Sequence, residues 1–162
     1  MKKVVLVMGI SGSGKSTIGK ALAQSLSLPF LDADDFHPRE NVLKMSRGES
    51  LTDDDRWPWL AAIAEYILHN HHEHFVLACS ALKESYRTYL AQRLSLLPLF
   101  LSIDQSTAEL RLSQRKGHFM PAALVESQLK TLEIPKDAQV YQATTSLDVI
   151  IQDAANHFQK LI

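Results

Sequence analysis

The stretch Gly9-Ile-Ser-Gly-Ser-Gly-Lys15-Ser16-Thr17 sets two glycines, a lysine and a hydroxyl residue at the spacing G-x-x-x-x-G-K-[ST]. In front of it, Lys3-Val-Val-Leu-Val-Met8 is a short apolar run rich in branched residues and reads as a buried strand. Behind it, Ile18, Ala21, Leu22 and Leu26 recur at helical spacing. Strand, glycine loop and helix in this order are the context that gives the spacing its chemical meaning. A plain glycine-rich turn between a strand and a helix would need neither the lysine nor the hydroxyl.

Gly9, Gly12 and Gly14 permit positive φ and remove side chains that would block a close approach. The consecutive N–H groups of the loop, including those of Ile10, Ser11 and Ser13, can then turn inward around a β-phosphate. The positive end of the following helix faces the same anion. Lys15 is placed to reach the β- and γ-phosphates, Ser16 to ligate Mg²⁺ through its hydroxyl, and Thr17 to lie near the α-phosphate. ATP and Mg²⁺ are therefore the expected ligands.

A chain of 162 residues fits a single domain, 1–162, able to bury a sizeable core. Its composition, 46% apolar and 22% charged, is that of an ordinary soluble protein. A net charge of −1 supplies no field to gather nucleic acid or an anionic membrane. One cysteine, Cys79, excludes an internal disulfide and suits a reducing compartment. Lys2-Lys3 leads only into a strand-length apolar run, and Ser95, Pro98 and Asp104 interrupt the longest membrane-span candidate. A cytoplasmic location follows as the expectation.

Pro29-Phe-Leu31 reads as a second strand ending at Asp32-Ala-Asp34. On an extended chain these two carboxylates point to one side, and the carboxyl end of a strand in an α/β sheet is where ligands sit. The segment from about 35 to 56 follows, dense in His, Asn, Lys, Arg and Asp, with Gly48 ending a short helix. Such a lining suits a polyhydroxylated anion, with arginine for a carboxylate and Asp or Asn for hydroxyls. Thr52 and Asp55 also fit a capping box, which makes helix starting the expected role of Asp54 and Asp55.

Trp57, Leu60, Ala61, Ala64, Ile67 and Leu68 form an apolar helical stripe, read as core together with Trp59. His69-Asn-His71-His72-Glu-His74 reads as a solvated turn ahead of the strand Phe75–Cys79, because no partner ligands stand at zinc-site spacing. Cys79 reads as a buried small hydrophobe. Lys83 and Arg87, four apart, share a helix face at a strand end and are candidates for anion binding. Leu97–Ile103 is a fourth strand, and Asp104 belongs to its turn into a helix capped by Ser106 and Glu109.

Arg111 and Arg115 precede Lys116-Gly117-His118-Phe119-Met120-Pro121, and a helix through about Leu132 follows. This has the form of a lid, about 115–130, which carries positive charge over a transferring phosphate and excludes water. Leu147–Ile151 is expected as the fifth strand and Ala154–Ile162 as a terminal helix. Alternating strands and helices imply a parallel sheet covered on both faces.

Several blocks together resemble the gluconokinases. They are the loop, Asp32-x-Asp34-x-x-His37-Pro38, Asn41-x-x-Lys44-Met45, Gly48, Asp53-x-Asp55-Arg56-x-Pro58-Trp59-Leu60, Cys79-Ser-Ala-Leu-Lys83-x-x-Tyr86-Arg87, Arg115–Met120 and Ser127-Gln-x-x-Thr131-Leu-Glu133-x-Pro135. They run in order from residue 9 to about 135, with Ala33 where the family often has Gly and Glu49-Ser50 where a Pro is frequent. The resemblance implies ATP-dependent phosphorylation of gluconate on a three-layer α/β/α P-loop fold of the nucleoside-monophosphate-kinase type, with strand order 2-3-1-4-5, in a homodimer.

On that basis Lys15, Asp34 and Arg115 are the expected catalytic residues. Asp32 is expected to hold Mg²⁺ through water, and Asp34 to orient the gluconate hydroxyl. Arg56 is expected on the carboxylate, with His37, Lys44, Lys83 and Arg87 lining the rest, and Arg111 near the adenine. No motif marks the base contacts; the segment before the last helix is the positional candidate. From the residues alone, a nucleotide switch, a nucleic-acid protein and a kinase for shikimate or a nucleotide remain rivals. The first lacks an Asn-Lys-x-Asp motif, and the second is disfavoured by the near-neutral charge.

Overall fold

The computed structural model describes residues 1–115 and 124–162. Strand β1 (Lys3–Met8) is fully buried from Val4 onward and lies at the centre of a five-stranded parallel sheet. Beside it stand β3 (His74–Ala78) and β4 (Ser95–Ser102), with β2 (Phe30–Asp32) and β5 (Gln139–Gln142) at the edges, in the expected order β2-β3-β1-β4-β5. Val5 pairs with Val76 on one side and Leu97 on the other.

The side-chain alternation of β1 feeds two cores. Val4, Leu6 and Met8 join Trp59, Leu60, Ile63 and Tyr86 beneath helices α3 (Asp53–His69) and α4 (Glu84–Ala91). Val5 and Val7 join Ile18, Leu22, Ile150 and Phe158 beneath α1 (Lys15–Leu26) and α7 (Leu147–Gln159). Pro98 falls in the part of β4 that precedes its pairing with β5, where the strand has a neighbour on one side only.

Three local expectations are corrected. The fifth strand is Gln139–Gln142, and Leu147–Ile151 opens α7 instead. Its branched residues suit a strand over five positions, but Ile150, Ala154 and Phe158 bury at intervals of four, a helical stripe that packs on the sheet. The chain after Asp32 turns at once into a 3₁₀ segment (Ala33–Phe36), so the extended-chain argument for Asp32 and Asp34 fails; Asp32 accepts from the backbone N–H of Asp34 instead. Helix α5 (Gln105–Ser113) is capped by Asp104 rather than Ser106, the Asp104 carboxylate accepting from Thr107 N at 2.8 Å.

The Thr52–Asp55 capping box is present, and α2 (Arg39–Ser46) ends just before Gly48. Helix α6 (Leu124–Thr131) occupies the place expected for the returning arm of the lid. The expected Lys116–Pro121 excursion lies outside the described residues.

Candidate active site

Helix α1 begins unlike its neighbours. Its cap is Gly14, with φ 89° and no side-chain hydrogen bond, and its first turn has no acidic residue. Helix α3 instead opens with a capping box and three aspartates. The first-turn N–H groups of α1 thus lack a side-chain partner and face outward with the positive end of the helix, the arrangement that receives an anion. Lys15 lies 9% exposed beside them. The loop is held close: a Cβ on Gly9 would stand 2.7 Å from Ser13 Oγ, and one on Gly12 would stand 2.7 Å from the Ala108 carbonyl.

Ser16 Oγ donates to Asp32 Oδ2 at 2.6 Å. Two hard oxygen donors therefore sit together at the mouth of the loop, a pairing that suits Mg²⁺. The Cys79 thiol, buried at the end of β3, interacts electrostatically with Asp34, Lys15 and Asp32, so these three charges gather around one point at the carboxyl edge of the sheet. Burial pushes the thiol up to about 12.

On one flank of the loop, Arg111 Nη1 reaches the carbonyls of Gly12 and Ser13, both at 3.4 Å, and Nη2 donates to the Ala143 carbonyl at 3.1 Å. A cavity of about 430 Å³ opens there, lined by Thr17, Arg111, Gln114, Arg115, Thr145 and Leu147 among others. It lies in part against the segment before α7.

A second cavity, of about 520 Å³, is lined by Leu51, Asp53, Arg56, Lys83 and Thr131 among others. Arg56 Nη1 donates to Leu51 O at 2.9 Å and to Tyr86 Oη at 2.8 Å. Tyr86 Oη donates to Asp53 Oδ1 at 2.5 Å, and Lys83 Nζ reaches the same oxygen at 3.0 Å. The Tyr86 and Lys83 hydrogen bonds hold the Asp53 carboxyl below its ordinary value. Burial and the bond to Asp53 push Tyr86 up to about 12. Lys83 thus reaches the Asp53 carboxylate directly and Arg56 reaches it through the Tyr86 hydroxyl, and both cations line one polar recess, a setting suited to an anionic ligand.

Lys44 is paired with Asp55 at 2.7 Å, and that bond, with the Thr52 N–H, lowers Asp55 to about 2. His37 stacks on Trp59 with ring centroids 4.2 Å apart, while Trp59 Nε1 donates to Ala33 O. Burial, then the Arg56 guanidinium, hold His37 down at about 4, so the ring is neutral and its Nδ1 accepts from Asn41 Nδ2 at 3.3 Å.

Arg87 is not among the residues that line the Arg56 and Lys83 recess. Its guanidinium donates to the carbonyls of Ala81, Leu82 and Glu133, tying two loops together, and it lines a separate cavity with Glu84 and Glu133. Helix spacing alone put it beside Lys83; the carbonyls decide where its head group goes.

The sequence assigns no role to Asp53, Tyr86 or Gln128, although all three stand in the blocks that resemble the gluconokinases. Asp53 was hidden within a capping pattern, and Tyr86 and Gln128 stood inside recurring blocks with no distinguishing chemistry of their own. His69 ends α3 and His74 begins β3, and in the connection between them the His71 and His72 rings pack at 4.1 Å. No helix among the described residues is long and apolar enough to cross a membrane.

A family model described as shikimate kinase matches residues 11–161. A gluconokinase from Gluconobacter oxydans (strain 621H) is 46% identical over 97% of this chain and 92% of its own length. The crystal structure of a gluconokinase from Sinorhizobium meliloti 1021 superposes with a TM-score of 0.86 at 42% identity, covering 99% of this chain and 93% of the other. An unliganded sugar kinase from Janibacter sp. HTCC2649 superposes with a TM-score of 0.87 at 40% identity, covering 96% and 94%.

Proposed function

This chain belongs to the gluconokinase family, and from that membership we infer that it transfers the terminal phosphoryl group of ATP to the primary hydroxyl of D-gluconate, giving 6-phosphogluconate. The observation that carries the reading is the uncapped, acid-free start of α1 with Lys15 beside it, in a fold that also holds a polar recess lined by Arg56 and Lys83.

In this reading Gly9–Thr17 cradle the triphosphate and Lys15 neutralises charge on the transferring group. Ser16 holds Mg²⁺, with Asp32 acting through water; the ion supplies further charge neutralisation to the phosphates. The Arg56 guanidinium takes the gluconate carboxylate, with Lys83, Lys44 and His37 around the chain of hydroxyls. The hydroxyl oxygen attacks the γ-phosphorus, the bond from that phosphorus to the bridging oxygen breaks, and ADP leaves with the electron pair. The hydroxyl proton passes to Asp34, whose main task is orientation, since positioning and charge dominate this chemistry.

Arg115, at the rim of the nucleotide recess, covers the transferring phosphate at the start of the 115–130 lid, whose α6 arm is the anchored end. Arg111 braces the loop beside the base. Residues 35–56 form the substrate-binding insertion of a single-domain enzyme. We further assign a cytoplasmic homodimer, consistent with a lone buried cysteine; light scattering tests the assembly.

The deciding experiment is ATP consumption with gluconate, shikimate, glucose and AMP offered separately. Gluconate alone should sustain turnover, and Arg56→Ala should raise the gluconate KM far more than the ATP KM. Turnover on shikimate in preference to gluconate would overturn the substrate assignment.

A further inference from the structure

Few polar side chains are buried among the described residues, and two of them meet. Gln128 on α6 is 9% exposed and Ser11 in the phosphate loop is 5% exposed. Gln128 Oε1 accepts from Ser11 N at 2.7 Å, and Nε2 donates to Ser11 Oγ at 3.2 Å. Both ends of one amide therefore bind a single residue, 117 positions away in sequence. Apolar packing of Ile10, Leu82, Ala108, Leu112 and Val125 holds α6 against the underside of the loop and gives the amide a fixed base.

Ser11 occupies a corner. Ser13 N donates back to Ile10 O at 3.2 Å, closing a four-residue turn with Ser11 and Gly12 at its centre. Gly12 has φ 85°, as the third residue of a type II turn requires. The alternative type I turn needs a negative φ there, and glycine adopts both signs readily. Exchange between the two rotates the Ser11–Gly12 peptide and turns the Gly12 N–H, the start of the inward-facing donor run, away from an anion. Gly12 tolerates both states, so the frame of Ser11, whose ψ turns with that peptide, biases the choice, and Gln128 holds that frame at its N–H and hydroxyl.

We propose that Gln128 is a positioning residue for the phosphate loop, its buried amide clamping the N–H and hydroxyl of Ser11 so that the Ile10–Ser13 turn presents Gly12 N–H to the nucleotide. The clamp rests on the reading of the loop as the ATP site and acts on nucleotide rather than on acceptor. It also links α6, the arm beyond residues 116–123, directly to that site. The Ser11 N–H is turned toward Gln128 and so is not among the donors that the loop offers inward.

The test uses the full chain with Gln128→Met, which keeps the length and removes both hydrogen bonds. Calorimetric titration with a non-hydrolysable ATP analogue should show about tenfold weaker binding. Steady-state kinetics should show kcat about tenfold lower and the ATP KM raised, with the gluconate KM within twofold of the parent. Ser11→Ala, which loses only the hydroxyl contact, should weaken nucleotide about threefold, and the double variant should be no worse than Gln128→Met alone. Multiplicative losses in the double variant would overturn the proposal, as would a Gln128→Met protein that melts earlier yet keeps both nucleotide affinity and kcat. Should Gln128→Met fail to fold, Ser11→Ala and Gln128→Asn carry the test, and unchanged nucleotide affinity in both overturns it. A parent protein that binds no nucleotide would instead refute the kinase reading itself.

Discussion

Gly12 and Gly48 allow steric contact to be separated from backbone strain. Both have left-handed backbone, with φ of 85° and 79°. A Cβ on Gly48 would meet nothing within 4 Å, whereas one on Gly12 would stand 2.7 Å from Ala108 O and 3.2 Å from Ala108 C and Cα. Those atoms are helix backbone in α5, with Ala108 fully buried, so they cannot swing aside as a side-chain tip would. Either alanine incurs about 1–2 kcal/mol for the left-handed backbone, offset by about 0.4–1 kcal/mol from stiffening the unfolded chain. Gly48→Ala should therefore cost about 1.6 kcal/mol at most. Gly12→Ala should add about 1–3 kcal/mol for displacing α5. At about 2–4 °C per kcal/mol for a chain of this length, its melting point should fall several degrees below that of Gly48→Ala. Urea unfolding of the two variants side by side measures the difference directly, since strain and chain entropy cancel. ATP should raise the melting point of Gly48→Ala and fail to raise that of Gly12→Ala. Equal unfolding midpoints for the two variants would refute the claim that the loop is packed against α5.

Three other outcomes follow from the site. His37 is held at about 4 in the fold while an unfolded histidine titrates near its ordinary value of about 6.5, so the unfolded chain binds more protons between these limits. Stability should fall as pH drops through that window, by at most about 3 kcal/mol from this residue, and His37→Gln should flatten the dependence seen in denaturant titrations at successive pH values. Cys79, buried and pushed up to about 12, should resist iodoacetamide at pH 8 until the protein is unfolded, as mass spectrometry would read; rapid native labelling would contradict its burial. Lys15→Ala should lower kcat/KM about 100- to 1,000-fold, the scale of a lost preorganised charge, while gluconate still binds in calorimetry.

The parts of the chain whose roles were legible are those where chemistry is local. The loop, its lysine and its flanking strand and helix share one continuous stretch, so spacing alone marks them. Likewise, the Thr52–Asp55 cap and the burial of Cys79 are nearest-neighbour effects or simple hydrophobicity. The order of the strands came with the family resemblance, since alternation of strands and helices implies a parallel sheet without numbering its neighbours.

Other features needed the fold because their partners are distant in sequence. Leu147–Ile151 has strand-like residues, yet it is helical because its buried stripe meets the sheet at intervals of four. Arg87 lies one turn from Lys83, but three backbone carbonyls claim its guanidinium, while Lys83 turns to Asp53. Tyr86 joins Arg56 to Asp53, and Gln128 grips Ser11 across 117 positions. Sequence thus determined which groups this protein possesses and the chemistry they can perform. Tertiary structure decided which of them meet, because a directional hydrogen bond forms only where packing brings donor and acceptor within about 3 Å.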